Sequence, residues 1–226
     1  MQLVIEVVSK KQLINIIANS AIDADLNHLD ISNVTSMNEV FKDSKFNGDI
    51  SNWDVSNVSD MSCMFIDSEF NGDISEWDVS NVTNMHGMFC NSHFNQDISN
   101  WDVSNVTDTA HLFSYSKFTQ DISQWNVSNV SDMSCMFIGS QFNGDISEWD
   151  VSNVTNMHGM FESSVFNGDI SQWNVSNLTN MIHMFYKSRF NTDISNWDVS
   201  NVTSMSHIFS MSQFTGDTSQ WVKQPQ

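Results

Sequence analysis

Apolar residues recur along the chain with a period of 24. All eight Trp residues keep this spacing, from Trp53 to Trp221, and Leu29 stands one period before Trp53. With Trp as position 1, the unit reads W-D-V-S-N-V-T-x-M-x-x-M-F-x-x-S-x-F-N-G-D-I-S-x, and all sixteen Phe residues fall at positions 13 and 18. Such strict recurrence of large apolar side chains predicts a repeat protein whose units stack on one another.

The middle of each unit has the spacing of one face of a helix. Met61, Met64, Phe65 and Ser68 stand at i, i+3, i+4 and i+7, and the other units repeat this pattern. It predicts a short helix over positions 7 to 17. Asn at position 5 and Ser or Thr at position 7 are both residue types that cap helices, and the sequence does not decide between them.

The residues around Trp alternate between apolar and polar. Trp53 and Val55 fall on one side of the chain, while Asn52 and Asp54 fall on the other. This alternation predicts a half-buried strand from position 22 to position 3 of the next unit. The Phe-Asn-Gly-Asp sequence that precedes it predicts a turn, because Gly tolerates positive φ and Asn or Asp can bond the adjacent backbone.

These elements together predict an α/β fold. It is a right-handed open solenoid of eight 24-residue strand-turn-helix coils, leucine-rich-repeat-like, with a parallel sheet and an N-terminal strand-helix cap. Parallel strands lie about 4.8 Å apart, whereas packed helices lie about 8 to 10 Å apart. The coils should therefore fan into an arc whose strand face is concave.

The domain organisation follows from where the repeat begins and ends. Residues 1–28 form a predicted N-terminal cap, with a strand over Leu3–Val8 and a helix from Lys10 to about Ser20. Residues 29–221 form the solenoid of eight repeats, and residues 222–226 form a C-terminal tail.

Both ends of the solenoid carry specific expectations. Ser9 and Gln12 have the spacing of a capping box for the first helix, and Val8 is placed to pack on Leu13 as a hydrophobic staple. At the other end, Trp221 enters a further strand that no sealing helix follows. An unpaired sheet edge with an exposed Trp221 predicts either a homo-oligomer contact or a truncation.

Composition and charge exclude several classes of function. The 27 acidic and 8 basic residues give a net charge of −19, which argues against direct binding of nucleic acid, because phosphate contacts need clustered Lys and Arg. No apolar stretch approaches the roughly 20 residues of a membrane span. The first 20 residues lack the pattern of a secretory signal. The three Cys residues have no CxxC spacing and are expected to be free thiols.

The repeat resembles a known family. The string Trp-Asp-Val-Ser-Asn-Val-Thr-Asn-Met, followed by Met-Phe and Phe-Asn-Gly-Asp-Ile-Ser, is similar to the surface-protein repeats of mycoplasma and other bacterial surface lipoproteins, over roughly Asp25 to Trp221. It also resembles, more loosely, the BspA-like branch of leucine-rich repeats. The resemblance implies a non-enzymatic surface or adhesion module. The chain departs from that pattern because it shows no signal peptide, lipidation Cys or wall anchor, so a cytoplasmic location is the alternative.

Position 21 holds an Asp in every unit. An Asp that accepts turn N–H groups explains this column, and calcium ligation is the alternative, although a calcium loop needs several oxygen ligands that converge on one ion. The column consists of Asp49, Asp73, Asp97, Asp121, Asp145, Asp169, Asp193 and Asp217.

Positions 24 and 2 point away from Trp and form the predicted concave face. An ordinary solvated surface explains their polarity, and the functional alternative is an acidic, amide-rich surface that binds a cationic protein or a hydroxyl-rich glycan. The candidate partner-binding residues are Glu76, Asp78, Asp102, Glu148, Asp150 and Asp198.

No catalytic, metal or cofactor site is predicted. Among the His residues that share a column, only His183 and His207 occupy adjacent coils, and two imidazoles make a poor metal site. Cys63 and Cys135 share a column three coils apart, too far for a disulfide. The chain is therefore expected to be a non-enzymatic scaffold for protein or glycan binding, adhesin-like. The alternative is an acidic mimic of DNA that binds a basic nucleic-acid-binding protein.

Overall fold

Regular secondary structure is confined to the N-terminal end of the chain. The computed structural model describes residues 4–221, in which strand β1 covers Ile5–Glu6, helix α1 covers Lys10–Asn19 and strand β2 covers Leu29–Asp30. Strands β1 and β2 pair in parallel, with Ile5 opposite Leu29. The predicted tail, residues 222–226, lies outside the described residues.

Helix α1 begins with a variant of the predicted capping box, in which Gln12 bonds the N–H of Val8 and not that of the N-cap Ser9. The Ser9 Oγ accepts the Gln12 N–H at 3.3 Å, and the Gln12 Oε1 accepts the Val8 N–H at 3.0 Å, so two N–H groups at the helix start are satisfied reciprocally. Leu13 is fully buried against the first coil. The predicted staple is wrong, because the Val8 side chain is 69% exposed. Its neighbour Val7 points inward instead.

The chain then forms a repeat solenoid. Each 24-residue unit from Leu29 onward is one coil, and the large apolar side chains of successive coils stack in columns. Rings of the position-13 Phe column lie 5.0 to 5.8 Å apart from Phe41 to Phe209. Almost all of these side chains are buried up to Val202. The stacked-repeat prediction is therefore confirmed.

The predicted helices of the repeats are absent. Positions 9 to 16 form a ribbon of overlapping turns in which positions 11 and 15 have positive φ, as Cys63 (54°) and Asp67 (56°) show. Every second N–H, such as that of Met64, bonds to the carbonyl three residues earlier. The N–H groups between them bond to the following coil, as with Cys63 to His86 at 2.7 Å. We call this segment the ribbon.

Stacking explains why the ribbon forms instead of a helix. A helix keeps its N–H groups for itself and holds its neighbours about 8 to 10 Å away. Phe rings spaced 5.0 to 5.8 Å apart require a closer approach of the backbones. A left-handed residue costs about 1 to 2 kcal/mol, and the bonds to the next coil offset that cost. Met61, Met64 and Phe65 are buried in the ribbon too, so the helical spacing fits both structures.

The predicted strands around Trp are also absent. The Trp77 N–H bonds to the Ile74 carbonyl at 3.2 Å, and the Val82 N–H bonds to the Val79 carbonyl at 2.9 Å, so two turns replace the strand. The alternation in burial is nevertheless as predicted, since Trp77 is buried and Asp78 is exposed. Between successive coils, the parallel bridges in residues 31–221 are isolated ones, at position 8.

The predicted concave face loses its basis because the coils lack helices. The rings of the Trp column lie 6.1 to 6.5 Å apart where they stack, and the side on which helices were expected is spaced more closely. The helices that would impose a fan are therefore missing.

Side chains add further bonds between coils. Each Trp Nε1 donates to the position-22 carbonyl 27 residues earlier in the chain, as Trp77 does to Ile50 at 3.2 Å. Asn and Thr at positions 5 and 7 do not cap a helix. Asn81 Nδ2 donates to the Ser56 carbonyl of the preceding coil at 2.8 Å, and Thr83 Oγ1 donates to the Ser59 carbonyl at 3.2 Å.

Trp221 also departs from expectation. Its indole is partly buried and stacks on Trp197, with ring centroids 6.1 Å apart. No sheet precedes it in the coils, so the edge at this end is a ribbon edge and not a sheet edge.

Candidate functional site

The candidate partner-binding residues lie on either side of the buried Trp column. All six side chains are exposed in the structure. Glu76 and Glu148 occupy position 24, and the four Asp residues occupy position 2 of their coils. The turns that place Trp inside thus place these carboxylates outside, and they repeat along the solenoid axis. These six residues are Glu76, Asp78, Asp102, Glu148, Asp150 and Asp198.

The position-2 carboxylates are held by their own turns. Asp78 Oδ1 accepts the Ser80 N–H at 3.1 Å and the Ser80 hydroxyl at 2.6 Å. The Ser80 hydroxyl and N–H lower the pKa of Asp78, because both bonds favour the ionised form. Asp150 Oδ1 accepts the Ser152 N–H at 3.0 Å, and interactions with the Ser152 hydroxyl and N–H lower the pKa of Asp150. These carboxylates are fixed and charged near neutral pH.

The position-21 column fulfils the turn interpretation. In all eight coils the Asp Oδ1 accepts the N–H of the Ser two residues later, at 2.8 to 3.0 Å. The N–H of Ser147 is the main cause of a lowered pKa in Asp145, and the nearby Asp169 charge opposes it. Repulsion between neighbouring coils is thus present but weaker than the hydrogen bonds.

The positive charges are confined to one part of the coil. All five Lys and Arg residues of the eight coils stand at positions 14 to 17, and none stands at positions 18 to 24 or 1 to 6. Those cations are Lys42, Lys45, Lys117, Lys187 and Arg189. We define the acidic face as the side chains at positions 21, 24 and 2 of the eight coils. Its sixteen carboxylates, which include the six candidate residues, have no Lys or Arg among them.

Position-21 and position-24 side chains border a common groove at the last two coils. Asp193, Asp217 and Gln220 line one shallow groove between the last two coils. The sequence analysis treated these columns separately and missed that all Lys and Arg residues of the coils stand at positions 14 to 17. The signal was available, because the coil position of every Lys and Arg can be counted from the sequence.

Histidine pairs are more numerous than the sequence analysis predicted. The rings of His183 and His207 lie 5.7 Å apart, as their shared column suggests. His86 and His111 also approach to 5.6 Å, and His158 approaches His183 to 6.0 Å. Position 10 of one coil meets position 11 of the next, a contact that only the ribbon creates. Burial is the main cause of a lowered pKa in His111.

The thiols are free and shielded. Cys63, Cys90 and Cys135 form no disulfide. Burial raises the pKa of Cys90 and of Cys135 to about 11, so both thiols are almost fully protonated at neutral pH. Within residues 4–221, no three His, Cys, Asp or Glu side chains are placed to hold a metal ion together.

A stacked solenoid of 24-residue coils defines a repeat protein. The family comparison agrees with the repeat. The family described as "Mycoplasma protein of unknown function, DUF285" matches residues 11–118, 68–165 and 139–225. The chain therefore belongs to the DUF285 family. No curated protein and no solved structure matches it. Helix α1, which has ten residues, is too short to span a membrane, and no other helix occurs in residues 4–221.

Proposed function

We propose that the chain is a non-enzymatic, adhesin-like binding scaffold whose acidic face recognises a cationic protein surface or a hydroxyl-rich glycan. The observation that supports this most directly is the absence of Lys and Arg from a face that carries sixteen carboxylates. The likeness to bacterial surface repeats supports a location at the cell surface. A right-handed winding of the coils stays a prediction.

Electrostatics favour a cationic partner. Two carboxylates about 4.8 Å apart in water repel by roughly 0.9 kcal/mol before salt screening. The Ser104 hydroxyl and N–H lower the pKa of Asp102, and the charge of Asp78 in the neighbouring coil opposes them. A partner that carries Lys or Arg at similar spacing removes the repulsion and adds attraction.

The turns also prepare the face for binding. Asp78, Asp102, Asp150 and Asp198 each accept a Ser N–H at 3.0 to 3.1 Å. Their conformations are therefore fixed before a partner arrives, which reduces the entropy lost on binding. Amides that share these columns, such as Asn126, supply the donors and acceptors that a glycan hydroxyl requires.

The test removes four charges from the face without removing its hydrogen bonds. The variant combines Glu76→Gln, Asp78→Asn, Glu148→Gln and Asp150→Asn, and each Asn keeps the oxygen that accepts the Ser N–H. Because each exposed ion pair contributes about 0.2 to 1 kcal/mol, we expect about tenfold weaker binding to poly-L-lysine in low salt.

A matched control carries the same charge change on the opposite flank. It combines Asp43→Asn, Asp67→Asn, Glu69→Gln and Glu162→Gln, all at positions 14 to 17. Equal weakening in both four-site variants would mean that only net charge matters, and the acidic face would lose its role. A glycan array probed with the parent chain and both variants separates glycan recognition from cation recognition.

The second candidate is a mimic of DNA. The sixteen carboxylates of the acidic face, spread over eight coils of about 4.8 Å each, give about one charge per 2 to 3 Å, against about 1.7 Å in duplex DNA. Competition with duplex DNA for a purified basic DNA-binding domain tests this function. Displacement of the DNA by the chain, but not by the Glu76, Asp78, Glu148 and Asp150 variant, would favour the mimic over the adhesin.

A further inference from the structure

Two columns of outward-pointing side chains run along the ribbon, at positions 15 and 17 of the coils. A Ser stands between them at position 16 in every coil, and it points inward, as the buried Ser68 and Ser188 show. The side chains at positions 15 and 17 are mostly exposed. We define the ribbon flank as these two columns.

The ribbon flank carries opposite charges in the second and seventh coils. Position 15 holds Asp67 in the second coil and Lys187 in the seventh, while position 17 holds Glu69 and Arg189. All four side chains are exposed, and none of them forms an ion pair within residues 4–221. The Asn91 amide holds Asp67 in place at 2.7 Å. The two coils thus present complementary charges that have no partner in the same chain.

The contrast in charge extends to the whole of each coil. The second coil, residues 53–76, has six carboxylates and no Lys or Arg. The seventh coil, residues 173–196, has two cations and one carboxylate, and it is the only one of the eight coils with a net positive charge. A chain with a net charge of −19 therefore keeps one cationic surface, which an acidic surface of another molecule complements.

A second copy of the chain satisfies both charge pairs in an antiparallel arrangement. In a two-fold dimer each contact occurs twice. With the two-fold axis at right angles to the solenoid, between the fourth and fifth coils, the second coil faces the partner's seventh and position 15 faces position 15. Asp67 then meets Lys187, and Glu69 meets Arg189. In a parallel dimer each coil faces its own equivalent, so like charges meet.

No like charges meet elsewhere on the flank in the antiparallel arrangement. The remaining opposed positions combine a charged with a neutral residue or an uncharged pair. These pairs are Asp43 with Met211, Lys45 with Gln213, Asn91 with Ser163, His93 with Val165, Tyr115 with Gly139, and Lys117 with Gln141.

An exposed aromatic side chain lies where the two-fold axis passes. Tyr115 is 58% exposed, whereas Trp101, Phe113 and Phe118 of the same coil are buried. The Tyr115 ring leans over Gly139 of the fifth coil, where a Cβ would overlap it. In the antiparallel dimer the two Tyr115 rings meet across the axis, and Tyr is a residue type that often anchors the centre of an interface.

We infer that the chain forms an antiparallel two-fold dimer through the ribbon flank, with Asp67–Lys187 and Glu69–Arg189 ion pairs on both sides of two central Tyr115 rings. The contact uses neither the acidic face nor the C-terminal coil, so it stands apart from the proposed function. Exposed ion pairs are individually weak and are screened by salt. The dimer is therefore weak and dissociates as the salt concentration rises.

Reversal of the charges tests the pairing. One variant carries Asp67→Lys and Glu69→Arg, and a second carries Lys187→Asp and Arg189→Glu. Each places like charges at all four ion pairs of the dimer, so we expect its Kd in low-salt sedimentation equilibrium to rise at least about tenfold over that of the parent chain. The variant with all four substitutions is the matched control, because it has the parent's net charge and restores every pair. It should dimerise as the parent does.

Two further measurements identify the arrangement. A mixture of the two reversal variants should form a mixed dimer, because each supplies the charges that the other lacks. Carbodiimide cross-linking of the parent, with one copy labelled with ¹⁵N, should join Asp67 of one copy to Lys187 of the other. Within one chain these two residues lie five coils apart, about 24 Å at a coil spacing of about 4.8 Å, which is too far for a direct amide link.

Four outcomes would overturn the inference. The first is a parent chain that stays monomeric in low salt at about 1 mM, where even a weak dimer is populated. The second is a reversal variant that dimerises as well as the parent. The third is failure of the mixed dimer to form from two variants whose thermal unfolding is that of the parent. The fourth is cross-linking of Lys187 chiefly to carboxylates of the acidic face, which would indicate unspecific association.

Discussion

Two substitutions in one ribbon distinguish the ribbon from a helix, because their effects on protein stability have opposite signs in the two structures. Ser163 and Gly159 occupy positions 15 and 11 of the same coil, with φ of 57° and 59°. The Ser163 side chain is exposed. Ser163→Gly therefore introduces Gly at one left-handed position, and Gly159→Ala removes Gly from another.

The expected changes in the free energy of unfolding follow from the backbone conformation. A non-Gly residue in the left-handed region costs about 1 to 2 kcal/mol. Gly costs about 0.4 to 1 kcal/mol, because it increases the conformational entropy of the unfolded chain. Ser163→Gly should therefore stabilise the protein by about 0.5 to 1 kcal/mol. Gly159→Ala should destabilise it by at least as much, because its Cβ would also lie 3.2 Å from the Cys135 Sγ.

A helix requires the reverse signs. In a helix interior, Gly is less favourable than Ser by about 0.5 kcal/mol and less favourable than Ala by about 1 kcal/mol. Thermal unfolding followed by Trp fluorescence measures the difference, since 1 kcal/mol shifts Tm by about 2 to 4 °C at this chain length. Ser163→Ala serves as the control for the lost hydroxyl and should change Tm little. A lower Tm for Ser163→Gly together with a higher one for Gly159→Ala would refute the ribbon.

Two further predictions concern the core and the turns. Trp101→Ala should cost about 3 to 5 kcal/mol in chemical denaturation, because it leaves a cavity in a buried column and orphans the Ile74 carbonyl that Trp101 Nε1 binds at 3.1 Å; a loss below 1 kcal/mol would contradict the burial. Asp145→Ala should cost about 0.5 to 1 kcal/mol, because the Ser147 N–H loses its acceptor, whereas Asp145→Asn keeps a neutral acceptor and should cost less. Since the folded pKa of Asp145 is lowered, the difference in stability between Asp145→Ala and the parent should be full above about pH 4 and decrease as pH falls through the folded pKa. A difference that persists unchanged at pH 2 would contradict this role.

The sequence predicted the parts of the fold that depend on burial alone. Trp53, Phe65 and Ile74 fall in columns of period 24, and all three are buried in the structure. The capping interactions of Ser9 and Gln12 could also be predicted, because their partners lie four residues apart or closer and need no tertiary context.

The predicted helices of the repeats were wrong, because the same spacing of apolar residues fits both a helix and the ribbon. Met61, Met64 and Phe65 mark an inward face in a helix and in the ribbon alike, and only positive φ at Cys63 and Asp67 separates the two. Neither Cys nor Asp predicts a left-handed conformation as strongly as Gly does. Gly87, Gly139 and Gly159 do stand at positive φ in the same two columns, so a comparison of units offered a weak signal.

The candidate site was also predicted only in part. Exposure of Asp78 and Glu148 followed from their place beside a buried Trp. The concave shape expected of that surface did not follow, because it rested on helices that are absent. The His86 and His111 contact was likewise invisible, since position 10 meets position 11 only across a ribbon boundary.

By itself, the sequence determined which side chains are inside, how long one coil is and where the carboxylates lie on its outline. Those features depend on the free energy of removing Trp and Phe from water, which repeats wherever the residues repeat. The tertiary structure alone decided the backbone path between them. Rings that stack 5.0 to 5.8 Å apart require each coil to bond directly to the next, and that requirement selects left-handed residues that no local preference favours.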